Sequence, residues 1–247
     1  MNISPILVNE DVGGIYKESL PSLLTIALIL DDKPQINIIK DYLEGVTVEN
    51  SALYSFDDAR QIIDALKNRG YSVGTLREKG ILMSLYKSVR SKFEKVCLKL
   101  YCNDPTTIKL THIPTSDFDQ HKTLTDEKAL KAEDINQLAV ALKDNTCLKT
   151  LNIKVGCSFD SLATPNQLIN ALQSTQIESL SLSGLPFSEE SSKVILGLDS
   201  LKILSLKDKA ITDNSFSNLL DLIKDKGLIS LSINSDSLTH KIINSKN

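Results

Sequence analysis

Four segments of the chain repeat one pattern: LKTLNI at Leu148–Ile153, IESLSL at Ile177–Leu182, LKILSL at Leu201–Leu206 and LISLSI at Leu228–Ile233. Each has aliphatic residues at its first, fourth and sixth positions, and successive starts lie 29, 24 and 27 residues apart. A self-similar period of this size constrains folding strongly. One such unit cannot bury its own apolar face, so units must stack on neighbours to share a core. The segments read as strands, and the triplet Leu148/Leu151/Ile153 with its three copies forms that core.

Helical patterns lie between the strands. Ala132–Leu142 places Ile135, Leu138, Ala139 and Leu142 on one face. Thr164-Pro165 is expected to open a second helix, with Thr as N-cap, Pro in the first position, and Leu168, Ala171 and Leu172 inward. Ser188-Glu189-Glu190 opens a third, with Val194 and Leu198 inward. Thr212-Asp213 opens a fourth, with Phe216, Leu219, Leu220 and Ile223 inward, closed by Gly227. Strand, loop, helix, loop, repeated, gives a parallel sheet with helices on one side. The expected fold class is α/β: a solenoid over residues 96–247, preceded by a mainly helical N-terminal cap region over 1–95.

The stretch INQLAVALKDNTCLKTLNI (Ile135–Ile153) resembles the ribonuclease-inhibitor-like class of leucine-rich repeats. Leu138, Ala139, Ala141, Leu142, Lys143, Asn145, Thr146, Leu148, Leu151 and Ile153 fit the pattern of that class. Similar wording occurs in the actin-capping tropomodulins and in bacterial leucine-rich-repeat effectors. The resemblance covers about 134–233 and implies a protein-binding solenoid. The class usually carries Asn or Cys three residues after the last core Leu. Here Gly156, Leu185, Lys209 and Asp236 stand there, so no side-chain ladder is expected in the bend.

Residues between the core aliphatics point away from the core. In-register stacking predicts three columns. They are Thr150, Ser179, Ile203 and Ser230; Asn152, Ser181, Ser205 and Ser232; and Lys154, Ser183, Lys207 and Asn234. These twelve are the candidate partner-binding residues, with Ile203 and the two lysines foremost. The face is hydroxyl-rich and lightly basic, without the Trp, Tyr and Arg anchors that dominate interface energetics. Small polar residues on a solvated sheet face account for the same pattern with no partner at all.

In the N-terminal half, Leu20–Leu30, Gln35–Leu43 and Asp57–Asn68 read as helices, the last with Asp57-Asp58 at the favourable end of its dipole. A longer basic helix is expected over 81–96, with Leu82, Leu85, Tyr86, Val89, Phe93 and Val96 inward and Lys87, Arg90, Lys92 and Lys95 outward. Such a helix suits a solvated face, or contact with an acidic partner or membrane. Val96–Tyr101 and Thr107–Ile113 read as strands joined by Asn103-Asp104-Pro105. Leu20-Pro21-Ser22-Leu23-Leu24 loosely resembles the start of an F-box, with Leu23 where that family carries an acidic residue. This implies a ubiquitin-ligase adaptor as one alternative function.

No phosphate-binding loop, dinucleotide fingerprint, nucleophile elbow or H-E-x-x-H motif is present. The four cysteines and three histidines show no zinc spacing, so no metal or other cofactor is expected. A cysteine-dependent hydrolase would need Cys97 with His112, or Cys157 with His121. With 28 basic and 31 acidic residues, a broad nucleic-acid surface is not expected. Met1–Glu10 has no basic, apolar leader, and Leu20–Leu30 is too short to span a bilayer, so the protein is expected in the cytoplasm of the producing cell. The Lys-, Asn- and Ser-rich, Trp-free composition resembles that of low-GC bacteria. Together with the repeat class this gives the leading expectation: a non-catalytic virulence effector that binds a eukaryotic host protein, with delivery into host cytoplasm.

Overall fold

The computed structural model describes residues 19–45, 54–111, 130–155, 163–186, 188–207 and 226–235. The helix expected at Thr212-Asp213, as well as His112, His121 and Cys157, lies outside these residues. The chain divides into two compact units, Met1–Arg90 and Ser91–Asn247.

The first unit is helical among the described residues. It contains α1 (Leu20–Ile29), α2 (Lys33–Gly45), α3 (Phe56–Asn68), α4 (Val73–Glu78) and α5 (Ile81–Ser88). α1 packs on α2 and α3, while α5 packs on α2 and α4. Ser55 caps α3 in a capping box with Asp58: the Ser55 hydroxyl accepts the Asp58 N–H at 3.1 Å, and the Asp58 carboxylate accepts the Ser55 N–H at 3.0 Å. Ser72 caps α4, a helix the apolar pattern does not announce.

The helix expected over 81–96 is two helices. α5 ends at Ser88, whose hydroxyl turns back to the Leu85 carbonyl at 3.0 Å. Val89 is extended, and its neighbours clamp Tyr54: the Tyr54 N–H donates to the Ser88 carbonyl and the Arg90 N–H to the Tyr54 carbonyl, both at 3.0 Å. Lys87 and Arg90 therefore belong to the first unit, whereas Lys92 and Lys95 lie on the next helix, Lys92–Tyr101, in the second. No single basic helix carries all four.

The second unit alternates helices and strands. α6 (Lys92–Tyr101) leads to β1 (Lys109–Leu110), α7 (Ala132–Leu142) to β2 (Thr150–Lys154), and α8 (Ala163–Ala171), with a 3-10 turn at Leu172–Ser174, to β3 (Ser179–Ser183). α9 (Glu189–Leu196) leads to β4 (Ile203–Lys207), and β5 (Ser230–Asn234) follows. All five strands are parallel and lie in chain order, β1-β2-β3-β4-β5. The described helices also pack in chain order, α6 on α7, α7 on α8, and α8 on α9. The architecture is α/β, a five-stranded parallel sheet with helices.

Three local expectations change. Val96–Tyr101 is helix, not strand. Ser91 caps α6, accepting the Glu94 N–H at 3.1 Å, and Phe93, Cys97, Leu98 and Leu100 bury a helical stripe. Thr164 lies inside α8 instead of capping it. On α9 the buried residues are Ser191, Ser192, Ile195 and Leu196, with Val194 half-exposed, while Leu198 just past the helix is buried as expected.

The first three triplets are buried throughout. In the last, Ile233 is buried while Leu228 and Leu231 are half-exposed. Leu110, Leu151, Leu180, Leu204 and Leu231 stand at one register position across all five strands. Burying this aliphatic row removes it from water at roughly 1.5–3 kcal/mol per fully buried side chain. The opposite face of the sheet is left exposed or half-exposed.

Candidate functional site

The exposed face is assembled by strand pairing. Thr150, Ser179, Ile203 and Ser230 are register partners, as are Asn152, Ser181, Ser205 and Ser232, and Lys154, Ser183, Lys207 and Asn234. All twelve candidate residues are brought together in the predicted columns. β1 extends the first column, with Lys109 opposite Thr150.

A fourth row escapes simple alternation. At each strand entry one carbonyl accepts two successive N–H groups. Ile108 accepts Lys149 and Thr150 at 2.8 and 3.2 Å; Lys149 accepts Glu178 and Ser179 at 2.9 and 3.0 Å. Glu178 accepts Lys202 and Ile203 at 2.8 and 3.0 Å; Lys202 accepts Ile229 and Ser230 at 2.8 and 3.2 Å. This repeated irregularity places two consecutive side chains away from the core at each entry. It adds Ile108, Lys149, Glu178, Lys202 and Ile229 along the edge of the face.

Charge runs across that added row. Lys202 Nζ lies 2.8 Å from Glu178 Oε2, and Lys149 Nζ lies 3.8 Å from Glu178 Oε1 and 2.9 Å from Gln176 Oε1. The Lys202 ammonium, helped by Lys149, holds the Glu178 carboxyl below its ordinary value. Both partners are solvent-exposed, so the pair tunes surface charge more than it stabilises the fold. Ile203 is the apolar point of the face, 42% exposed between Ser179 and Ser230. Ile108 and Ile229, 53% and 72% exposed, stand in the edge row.

Buried polar groups hold the loops that lead into this face. Asn145 is buried; its Nδ2 donates to the Leu100 carbonyl at 2.6 Å, and its Oδ1 accepts the N–H groups of Cys147 at 3.1 Å and Leu148 at 2.8 Å. Asn103 bridges the same two loops, donating to the Asp144 carbonyl at 2.9 Å and accepting the Thr146 N–H at 2.7 Å. After β3, Gly184 turns the chain at φ +73°, and a Cβ there would lie 2.3 Å from the Val155 carbonyl oxygen. The next residue, Leu185, is buried where the repeat class usually has Asn or Cys. Gly156, Lys209 and Asp236 lie outside the described residues.

Cys97 is fully buried, and burial first, then the charges of Asp134 and Glu94, pushes its thiol up. An activated nucleophilic thiol requires the opposite shift. Among the described residues no group of three or more His, Cys, Asp or Glu side chains is placed to hold a metal ion. No helix among them is long and apolar enough to cross a membrane.

Comparison with known proteins found no matching family model, no matching curated protein and no matching solved structure.

Proposed function

We propose that this chain is a non-catalytic protein-binding module, a leucine-rich-repeat solenoid that uses the exposed face of its sheet as the contact surface. One observation carries the reading: five strands stack in register and leave one face to solvent, with small hydroxyl side chains at most of its positions. The other face of the sheet is committed to the core. Small side chains let a partner backbone approach closely, while Ile203 and the lysines give it points to hold. A bacterial effector acting on a eukaryotic host protein is the biological setting we favour, on the strength of the Lys-, Asn- and Ser-rich, Trp-free composition and the repeat pattern.

The test is affinity capture from eukaryotic cell lysate with the intact chain and with a Ser205→Trp variant. Ser205 sits mid-column between Ser181 and Ser232, so an indole there blocks close approach without touching the core. The reading expects a stoichiometric partner held by the native chain and lost by the variant. Equal capture by both would place the contact elsewhere.

A further inference from the structure

The exposed face carries a charge opposite to that of the chain as a whole. Among the described residues, Lys109, Lys149, Lys154, Lys202 and Lys207 stand on it or on its edge row, against a single acidic residue, Glu178. Glu178 is engaged by two of the lysines already. Among the described residues, the three columns hold no acidic residue, though Lys154 has an interaction of its own outside them. The whole chain sums to −3. Five lysines against one glutamate give the face a local excess of positive charge, and such a field steers ligands of opposite charge.

We propose that the exposed sheet face takes an acidic protein segment, an extended Asp/Glu-rich stretch laid across the strands with Ile203 as its apolar contact. This rests on reading the face as the binding surface and names the chemistry of the partner. Lys154 and Lys207 lie in one column on β2 and β4, two strand spacings apart, which is about 10 Å. Carboxylates three residues apart on a segment in the extended polyproline II conformation share one face and span about 9 Å. The serines and Asn152 between the lysines supply hydroxyl and amide groups for the segment's backbone. A nucleic acid fits less well. The face has no Arg to grip phosphates or base edges and no aromatic ring for bases to stack on.

Amide chemical-shift mapping on the full chain tests this with three probes: a synthetic extended peptide of Glu, Ser and Leu, its Gln-for-Glu twin, and a thymidine oligonucleotide. The Glu peptide is expected to move the amides of Ser181, Ile203 and Ser205 and to weaken as salt rises. Reversal at two sites, Lys154→Glu with Lys207→Glu, is expected to weaken it about tenfold. The milder pair Lys154→Gln and Lys207→Gln, which only neutralises, is expected to lose less. Equal binding of the Gln twin at the same amides overturns the acidic partner and leaves the face as a binding surface. Shifts confined to the helices, or none with either peptide, overturn both readings. Tighter binding of the oligonucleotide at these lysines overturns the proposal in favour of nucleic acid.

Discussion

Asp104 and Asn145 do the same work in two successive helix–strand units. They lie forty-one residues apart, the offset at which Lys109 pairs with Thr150. Each is buried, and each side chain accepts the N–H two residues ahead: Asp104 Oδ1 takes that of Thr106 at 2.9 Å, Asn145 Oδ1 that of Cys147 at 3.1 Å. The shared turn shows that α6 and β1 form a unit of the same kind as α7 and β2, although β1 lacks the full aliphatic triplet.

Asn145→Ala is expected to cost about 2 to 3 kcal/mol, because two buried backbone groups and one half-buried one lose their partner. Urea denaturation measures it as a lower midpoint. A loss below about 0.5 kcal/mol would mean that these bonds are replaced by water at little net cost.

Gly184→Ala is expected to be worse than a left-handed backbone alone explains. A Cβ there meets the Val155 carbonyl at 2.3 Å, whereas at Gly227, also at positive φ, it meets nothing within 4 Å. Left-handed strain is of the order of 1–3 kcal/mol at either site, and the collision adds to it only at Gly184. Equal losses for Gly184→Ala and Gly227→Ala in the same urea experiment would contradict the close approach.

Glu178 gives a pH signature. Its folded-state pKa is depressed by the Lys202 ammonium, so its contribution is present above the unfolded value and is lost as pH falls through the lower, folded one. Lys202→Gln is expected to raise the Glu178 carboxyl back toward its ordinary range, and so is high salt, which screens an exposed pair. Side-chain carboxyl NMR titration reads both. No movement on either change would remove Lys202 as the cause.

Thiol accessibility follows burial. Cys97 and Cys102 are buried, whereas Cys147 is half-buried. Under native conditions a thiol reagent followed by peptide mapping is expected to label Cys147 well before Cys97, with Cys97 released only on unfolding. Early, selective labelling of Cys97 would reopen a nucleophilic role for it.

The columns of the sheet face were legible because a two-residue period and a repeated aliphatic triplet specify register together. α7 was legible for a similar reason: its stripe Ile135, Leu138, Ala139 and Leu142 has only one period to obey. α6 was misread because Val96, Leu98 and Leu100 alternate as a strand would, and helix packing decided otherwise. The Ser91-x-x-Glu94 cap was the signal that distinguished the two. The break at Val89 carries no Gly or Pro; it is made by pairing with Tyr54, a contact that no local pattern encodes. The edge row of Lys149, Glu178 and Lys202 stayed hidden because strict alternation leaves no place for two consecutive outward residues.

The central claim is that a partner docks on the exposed sheet face. Site-specific photo-crosslinking in eukaryotic lysate tests it most directly, with benzoylphenylalanine placed singly at Ser181, Ser205 and Ser232 on the face and at the exposed Val140 on α7. The account predicts one common adduct from the three sheet positions and none from Val140. An adduct from Val140 with silence at all three sheet positions would contradict it.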